Sequence, residues 1–217
     1  EIPFLNMWAA AWTQFQIHDW FDHGTPDMRR PIEVPLKRFD PIRRRTGQTS
    51  IVFGSTPLAR SRLPSESSLP PTYQNVVTHW WDGSQVYGSD LATADSLRTF
   101  KGGRMRLTED GLLPVGADGI PETGFNSNWW IGLELLHTVF VKEHNAIADH
   151  LAAHHPDMTD EELYQTARLV NAALMAKIHT LEWTPAILPN KKLDLAMNAN
   201  WYGLEKYVED DPVERAT

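Results

Sequence analysis

The alternation of apolar and polar positions divides the chain into helical stretches and one long stretch without a period. Residues 5–22 interleave aromatic and aliphatic side chains at helical spacing, which predicts a helix. Residues 25–77 show no such period. They carry Pro at positions 26, 31, 35, 41, 57, 64, 70 and 71 and read as irregular. A connection of that length inside a domain is usually functional or wraps a surface. A short helix is predicted over 90–100, and a Gly-rich stretch over 101–125 predicts a hairpin at 104–113. Two long helices follow. The first spans about 127–154, with Asn126, Ser127 or Asn128 as N-cap and Leu133, Leu136, Phe140 and Ile147 among its apolar positions. The second opens on Thr159-Asp160-Glu161-Glu162, a capping box in which Thr159 and Glu162 satisfy each other's amides. Its apolar face is Leu163, Ala167, Val170, Leu174 and Ile178, and it stops near Pro185. A shorter helix is predicted at 192–204. The fold class is mostly α, with long irregular loops and little β.

Composition narrows the picture. With 217 residues, 41% of them apolar, the chain is long enough to bury a core, as one large domain or part of a larger one. A net charge of −8 argues against general nucleic-acid binding. Cysteine is absent, so there are no disulfides and no thiolate ligands to a metal. No apolar run approaches ~18 residues and no secretory signal pattern opens the chain, so a soluble or peripherally membrane-associated protein is expected. The three arginines at 43–45 read as a solvated turn. Nine Trp and nine His are the compositional oddity. They suit a deep apolar pocket or a flat cofactor, although a Trp-rich core is the plainer explanation.

Two segments carry candidate chemistry. In Gln14-Phe15-Gln16-Ile17-His18-Asp19-Trp20, Gln14 and His18 lie one helical turn apart on one face, while Asp19 points about 100° away. One helix thus offers an amide and an imidazole to one site and a carboxylate to another. A lone His on a helix is more often structural; the second segment changes the balance. Thr78-His79-Trp80-Trp81-Asp82-Gly83-Ser84 places side-chain oxygens at 78, 82 and 84, and at Trp80 only the backbone carbonyl can contribute. Residues two apart in an extended segment project to one side. Ca²⁺ seeks six to eight such oxygens, with Asp19 available to close the set.

Together these segments resemble the distal heme helix and calcium loop of the peroxidase–cyclooxygenase superfamily, and the fatty-acid α-dioxygenase branch is the best match. Two further segments support it. Leu136 to Asn145 resembles the superfamily helix that reads His-Thr, variable residues, a basic residue, then Glu-His-Asn; His137 and His144 there are expected to be packed, hydrogen-bonded core groups. Ala176 to Thr184 is similar to the α-dioxygenase signature. The resemblance implies His18 as the distal proton carrier with Gln14 beside it. It implies His179 near the heme, and His179 and Thr184 holding the fatty-acid carboxylate. Asp19, Thr78, Trp80, Asp82 and Ser84 would be the calcium ligands. One departure separates the chain from halide-oxidising peroxidases. Their distal Arg and their heme-linked Glu and Met fall here at Asn126, Trp129 and Trp130, so the implied cofactor is non-covalent heme b. A missing distal cation also weakens heterolytic peroxide cleavage.

The resemblance covers roughly residues 12–204 and only the N-terminal, distal part of the family domain. It implies that residues 1–217 are a single partial catalytic domain. The proximal His and the radical-forming Tyr are expected beyond it, on a second chain or a C-terminal remainder. The implied reaction adds O₂ at C2 of a fatty acid to give a 2-hydroperoxy acid. Three alternatives stay open: a heme peroxidase oxidising small organic donors with H₂O₂, a non-catalytic calcium-bound structural chain, and a folded but inactive homologue.

Overall fold

The computed structural model of the chain describes residues 5–204. It is mostly α, and its contacts gather into two compact units, residues 5–19 with 80–204, and residues 20–79.

Helix α1 (Met7–Trp20) starts where the Asn6 side chain accepts from the amides of Trp8 and Ala9, satisfying two of the free donors at the helix start. Ala11, Trp12, Phe15, Gln16, His18 and Asp19 are all buried. A helix buried on so much of its circumference is a central element, not a surface one.

The 20–79 unit departs from the irregular expectation. Strand β1 (Asp27–Pro35) pairs antiparallel with β2 (Ser50–Ser55), joined through a short helix α2 (Pro41–Thr46) that Asp40 caps. Pro31 and Pro35 occur inside this ladder, which a two-stranded sheet tolerates because each strand is an edge. The ladder is largely exposed, so it carries no strict in–out alternation for a sequence reading to detect. The arginines at 43–45 form the last turn of α2, where cations face the helix carboxyl end.

In the other unit come α3 (Ser84–Tyr87), α4 (Leu91–Ser96), then α5 (Ile131–His154) and α6 (Asp160–Lys177) packed on each other, and finally α7 (Thr184–Ile187) and α8 (Lys191–Tyr202). The capping box forms as expected: the Glu162 amide donates to Thr159 Oγ1, and the Glu162 carboxylate accepts from the Thr159 amide at 2.8 Å. Three expectations need correction. The 104–113 segment forms a tight turn, with the Thr108 amide donating to Leu112 O at 2.8 Å, but no strands; only isolated bridges such as Arg98 to Met105 occur nearby. Helix α5 begins at Ile131, not near 127, because Asn128 adopts φ +55° and Trp130 is extended. Asn is among the few residues that enter the left-handed region readily. Finally, α6 gives way at Lys177 to a π turn over Ile178–Trp183.

The core faces also differ from the apolar stripes. Helix α5 buries Leu133, His137, Phe140, His144 and Ala148, and α6 buries Leu163, Tyr164, Ala167, Asn171 and Met175, while Val170 is exposed. His144 and Asn171 occupy core positions within a bonded network. The Tyr87 hydroxyl lies 2.9 Å from His144 Nδ1, His144 Nε2 lies 2.8 Å from Gly103 O, and Asn171 Nδ2 donates to Tyr87 Oη at 2.8 Å and Phe140 O at 3.0 Å. Since Gly103 O can only accept, Nε2 carries the proton and Nδ1 accepts from Tyr87. Asn145 adds a two-way clasp on the backbone of Met105. His144 and Asn145 of the Glu-His-Asn motif therefore staple the 103–105 loop to α5.

Candidate active site

Helix α1 does present its polar groups to two sides. On one, Gln14 Nε2 lies 3.5 Å from His18 Nε2 and donates to Asn128 O at 3.2 Å, and the Trp130 indole donates to Gln14 Oε1 at 2.8 Å. The His18 ring is buried, 4.4 Å from the Phe125 ring. The segment 124–130 thus straps across this face. Its start is fixed by the Phe125 amide donating to Gln85 O at 3.0 Å, and its end by Trp130 on Gln14. Sequence reasoning noted Trp130 only as a departure and missed this contact. The one available signal was Gly132, where an added Cβ would stand 2.3 Å from the Trp130 ring.

On the other side Asp19 is buried and its Oδ1 accepts from the Ser84 amide at 2.7 Å and the Ser84 hydroxyl at 3.1 Å. Asp82 Oδ1 also accepts from the Ser84 amide, at 3.2 Å. Burial, with a further push from the neighbouring Asp82 charge, raises the Asp19 carboxyl to about 7 against the pull of the Ser84 hydrogen bonds. Arg168 lies beside Asp82, 3.9 Å away, and donates to its carbonyl at 3.3 Å. Three of the five expected calcium ligands, Asp19, Asp82 and Ser84, are therefore together. Trp80 is exposed, and its carbonyl accepts the Asp82 amide at 2.8 Å; Thr78 lies exposed in the 20–79 unit. Among the described residues no group of three or more His, Cys, Asp and Glu could hold a metal. The set here has two carboxylates, and any further ligands would be hydroxyl and carbonyl oxygens, the donors a hard cation selects.

The third cluster lies on the π turn. His179 is half-buried, its ring 6.2 Å from Trp12 and 5.3 Å from Trp81. Burial alone lowers its pKa. Thr184 Oγ1 donates to His179 O at 2.8 Å, so the two residues are joined through backbone, and Trp201 clips the same turn by donating to Thr180 Oγ1 at 2.7 Å. π turns recur at functional sites because the extra residue re-aims side chains. A cleft of about 440 Å³ opens beside this cluster, lined by Trp8, Trp12, Leu136, Trp183 and Ile187 among others.

His144 is packed and hydrogen-bonded as expected. His137 is fully buried, edge-on to Phe15 at 5.0 Å, but neither ring nitrogen meets a partner among the described residues, contrary to expectation. Burial, aided by the nearby His18, holds its pKa down at about 3, so the ring is neutral.

The family model for Animal haem peroxidase matches residues 2–214. This chain belongs to that family. Within it, the chain is 41% identical over 209 residues to "Alpha-dioxygenase PIOX" of Oryza sativa subsp. japonica, which covers 92% of this chain and 31% of the relative. The fold matches the crystal structure of the fatty acid alpha-dioxygenase of Arabidopsis thaliana with a TM-score of 0.79 at 39% identity, covering 94% of this chain and 31% of that one. It also matches the Oryza sativa fatty acid alpha-dioxygenase crystallised with palmitic acid, TM-score 0.78 at 39% identity, over 95% of this chain and 33% of that one. The chain thus spans about a third of the length of these relatives. Among the described residues no helix is long and apolar enough to cross a membrane.

Proposed function

We propose that this chain supplies the distal half of a heme-dependent fatty-acid α-dioxygenase. The observation that carries this reading is the facing pair Gln14 and His18 on a buried helix whose other side is tied by Asp19 to the 82–84 loop. The donor chemistry fits a distal heme face: an imidazole and an amide, walled by Phe125 and the strap. Non-covalent heme would supply the oxidising equivalent. His18 would accept and return the proton at Nε2, a role in which a positioned imidazole contributes about 10²–10⁴-fold. The proximal His and radical Tyr would come from a second chain or a C-terminal remainder, in keeping with relatives about three times as long.

In the reaction, hydrogen leaves C2 of the fatty acid, O₂ bonds there, and the returned hydrogen completes a 2-hydroperoxy acid. His179 and Thr184 would hold the carboxylate so that C2 is the carbon presented, a selectivity achieved by anchoring. A carboxylate in a poorly hydrated site requires such donors. Thr184 reaches it only if its hydroxyl turns from His179 O, so His179 carries more of the burden. Ca²⁺ would bind Asp19, Asp82 and Ser84, with the Trp80 carbonyl and Thr78 completing the set. The ion would replace the proton that burial favours on Asp19 and would fix the helix that carries His18.

The test is oxygen uptake by the intact heme-loaded protein with a C16 fatty acid, with mass spectrometry of the product. A 2-hydroperoxy acid that disappears in His18→Ala supports the reading. Oxidation of guaiacol-type donors without fatty-acid oxygenation would replace it with the peroxidase alternative. Retained calcium with no heme contact would leave a structural role.

A further inference from the structure

The 20–79 unit carries a surface that the distal face does not use. In its ladder Ile32 pairs with Phe53, and Val34 with Ile51. Residues directly opposite in an antiparallel pair share a face, and so do residues two apart in one strand. These four side chains therefore form one apolar face, while Glu33 and its partner Val52 occupy the other. The apolar face is open: Ile32, Val34, Ile51 and Phe53 are each 42–47% exposed. Phe39, in the turn between Pro35 and α2, is 76% exposed. Two strands cannot bury a face between themselves, and a contiguous exposed apolar patch marks a place where something else binds.

Charge identifies the kind of partner. Residues 20–79 hold nine Lys and Arg against five Asp and Glu, a net +4 in a chain of net −8, so the rest of the chain carries −12. Four of those five acidic side chains are engaged within their own loops. Asp22 accepts from the Gly24 amide, Asp27 pairs with Arg29, Asp40 caps α2, and Glu66 accepts from the Leu63 amide. The fifth, Glu33, points away from the apolar face. Arg30, Lys37, Arg38, Arg44, Arg45 and Arg60 are exposed and make no ion pair among the described residues. They stand at both ends of the ladder. Lys37, Arg38, Arg44 and Arg45 lie on the connection from Pro35 to Ser50, and Arg30 and Arg60 line a cleft of about 460 Å³ at the end where Asp27 meets Ser55. A protein that covered this face would have to desolvate or pair each cation. Anionic headgroups attract the same cations while leaving them hydrated, and let the apolar side chains between them reach the acyl boundary.

We infer that the apolar face of the β1–β2 ladder, with the cations at its two ends, docks the protein on an anionic lipid surface. The contact is peripheral, since no described helix is long and apolar enough to cross a membrane. The inference stands on exposure and charge, and does not rest on the α-dioxygenase reading.

The test is flotation of the intact protein, without added calcium, with vesicles of phosphatidylcholine mixed with phosphatidylserine and with vesicles of phosphatidylcholine alone. Binding to the mixed vesicles is expected, with far less to the neutral ones, and it should weaken as salt screens the cations. Arg44→Ala with Arg45→Ala should weaken it by about tenfold or more. Ile32→Ser with Phe53→Ser should weaken it by a similar factor at unchanged charge. Arg104→Ala with Arg106→Ala removes as much charge from the other unit and should leave binding close to wild type. If the Ile32 and Phe53 pair fails to fold, the two arginine pairs decide. No binding to the mixed vesicles overturns the inference, as does equal binding to neutral ones or an equal loss in both arginine pairs. In a protein that ignores vesicles, a dimer broken by Ile32→Ser with Phe53→Ser would give the face to a second copy, and slow hydrogen exchange over residues 50–55 would give it to further polypeptide. The readout uses neither heme nor turnover. Lipid binding by a protein that does not oxygenate fatty acids would therefore sink the proposed function and leave this inference standing, and a fatty-acid oxygenase that ignores vesicles would do the reverse.

Discussion

The helical interior has two polar regions, and they are built differently. Around His144 both ring nitrogens are engaged, by Tyr87 and Gly103, and Asn171 reaches across from α6. Around His18, Gln14 Nε2 stands 3.5 Å from the ring, and His137, two turns before His144 on the same helix, has no partner among the described residues. The same residue type thus serves as a finished joint at His144 and, at His137, as a buried ring with no partner among the described residues. A satisfied buried network rigidifies, whereas an unsatisfied buried group carries a cost that calls for an explanation. We read the His144 end as scaffold and the His18 end as the site the scaffold carries.

The sharpest way to break this comparison is to remove each imidazole. In the intact heme-loaded protein, His18→Ala should lower fatty-acid turnover by about 10²-fold or more. Its melting temperature should fall less than that of His144→Leu. Turnover within about threefold of wild type would remove His18 from the chemistry. His144→Leu leaves the Tyr87 hydroxyl and Gly103 carbonyl unpaired in the core and should cost roughly 3 kcal/mol in denaturant unfolding. His137→Leu removes a buried ring with no partner among the described residues and should change stability by less than about 1 kcal/mol. Equal losses at 137 and 144 would mean that the two ends are not built differently.

Acid should expose the same scaffold. Burial holds the His144 pKa at about 4, and that of His137 at about 3, against an ordinary value near 6.5. Above 6.5 both folded and unfolded forms are neutral and the full stability is present. As pH falls below 6.5 the unfolded chain takes up protons that the folded core refuses, so stability declines until the folded value is reached. His144 alone should account for a loss on the order of 3 kcal/mol between about pH 6.5 and 4. Comparing the pH dependence of unfolding in wild type and His144→Gln checks this; identical slopes would show that His144 does not titrate differently in the two states.

The comparison also explains what could be read from sequence. Long helices, the Thr159–Glu162 box and the pairing of Gln14 with His18 follow from spacing along one element, and these were legible. The core faces of α5 and α6 were legible in part: Leu133, Phe140, Leu163 and Ala167 are buried as their spacing predicts, but Asn171 looks like a surface residue until Tyr87, from a distant segment, satisfies it. The π turn escaped for a related reason: residues 178–183 keep helical composition while their hydrogen bonds shift by one residue. Trp130 was invisible because its meaning depends on Gln14, more than a hundred residues earlier in the chain. Local rules report what a residue prefers. They do not report which distant partner makes a costly position acceptable.

The mildest test concerns the tie between α1 and the 82–84 loop. Asp19 is raised to about 7 by burial and by Asp82, well above an ordinary carboxyl near 3.8. Without a cation the folded form therefore holds a proton that the unfolded form releases, and the associated stability is present below pH 3.8 and lost as pH rises through about 7. A bound Ca²⁺ requires the ionised carboxylate, so binding must expel that proton wherever the carboxyl is still protonated. Calcium affinity should therefore increase with pH up to about 7 and then level off, weakening by up to about tenfold for each unit below. Asp19→Asn should remove most of the affinity and all of this dependence. Calorimetric titration in two buffers of different protonation enthalpy would count the expelled protons at pH 6. Calcium binding with no proton release would show that Asp19 is not a ligand, and the tie between the loop and α1 would then rest on direct contacts such as the Ser84 hydrogen bonds.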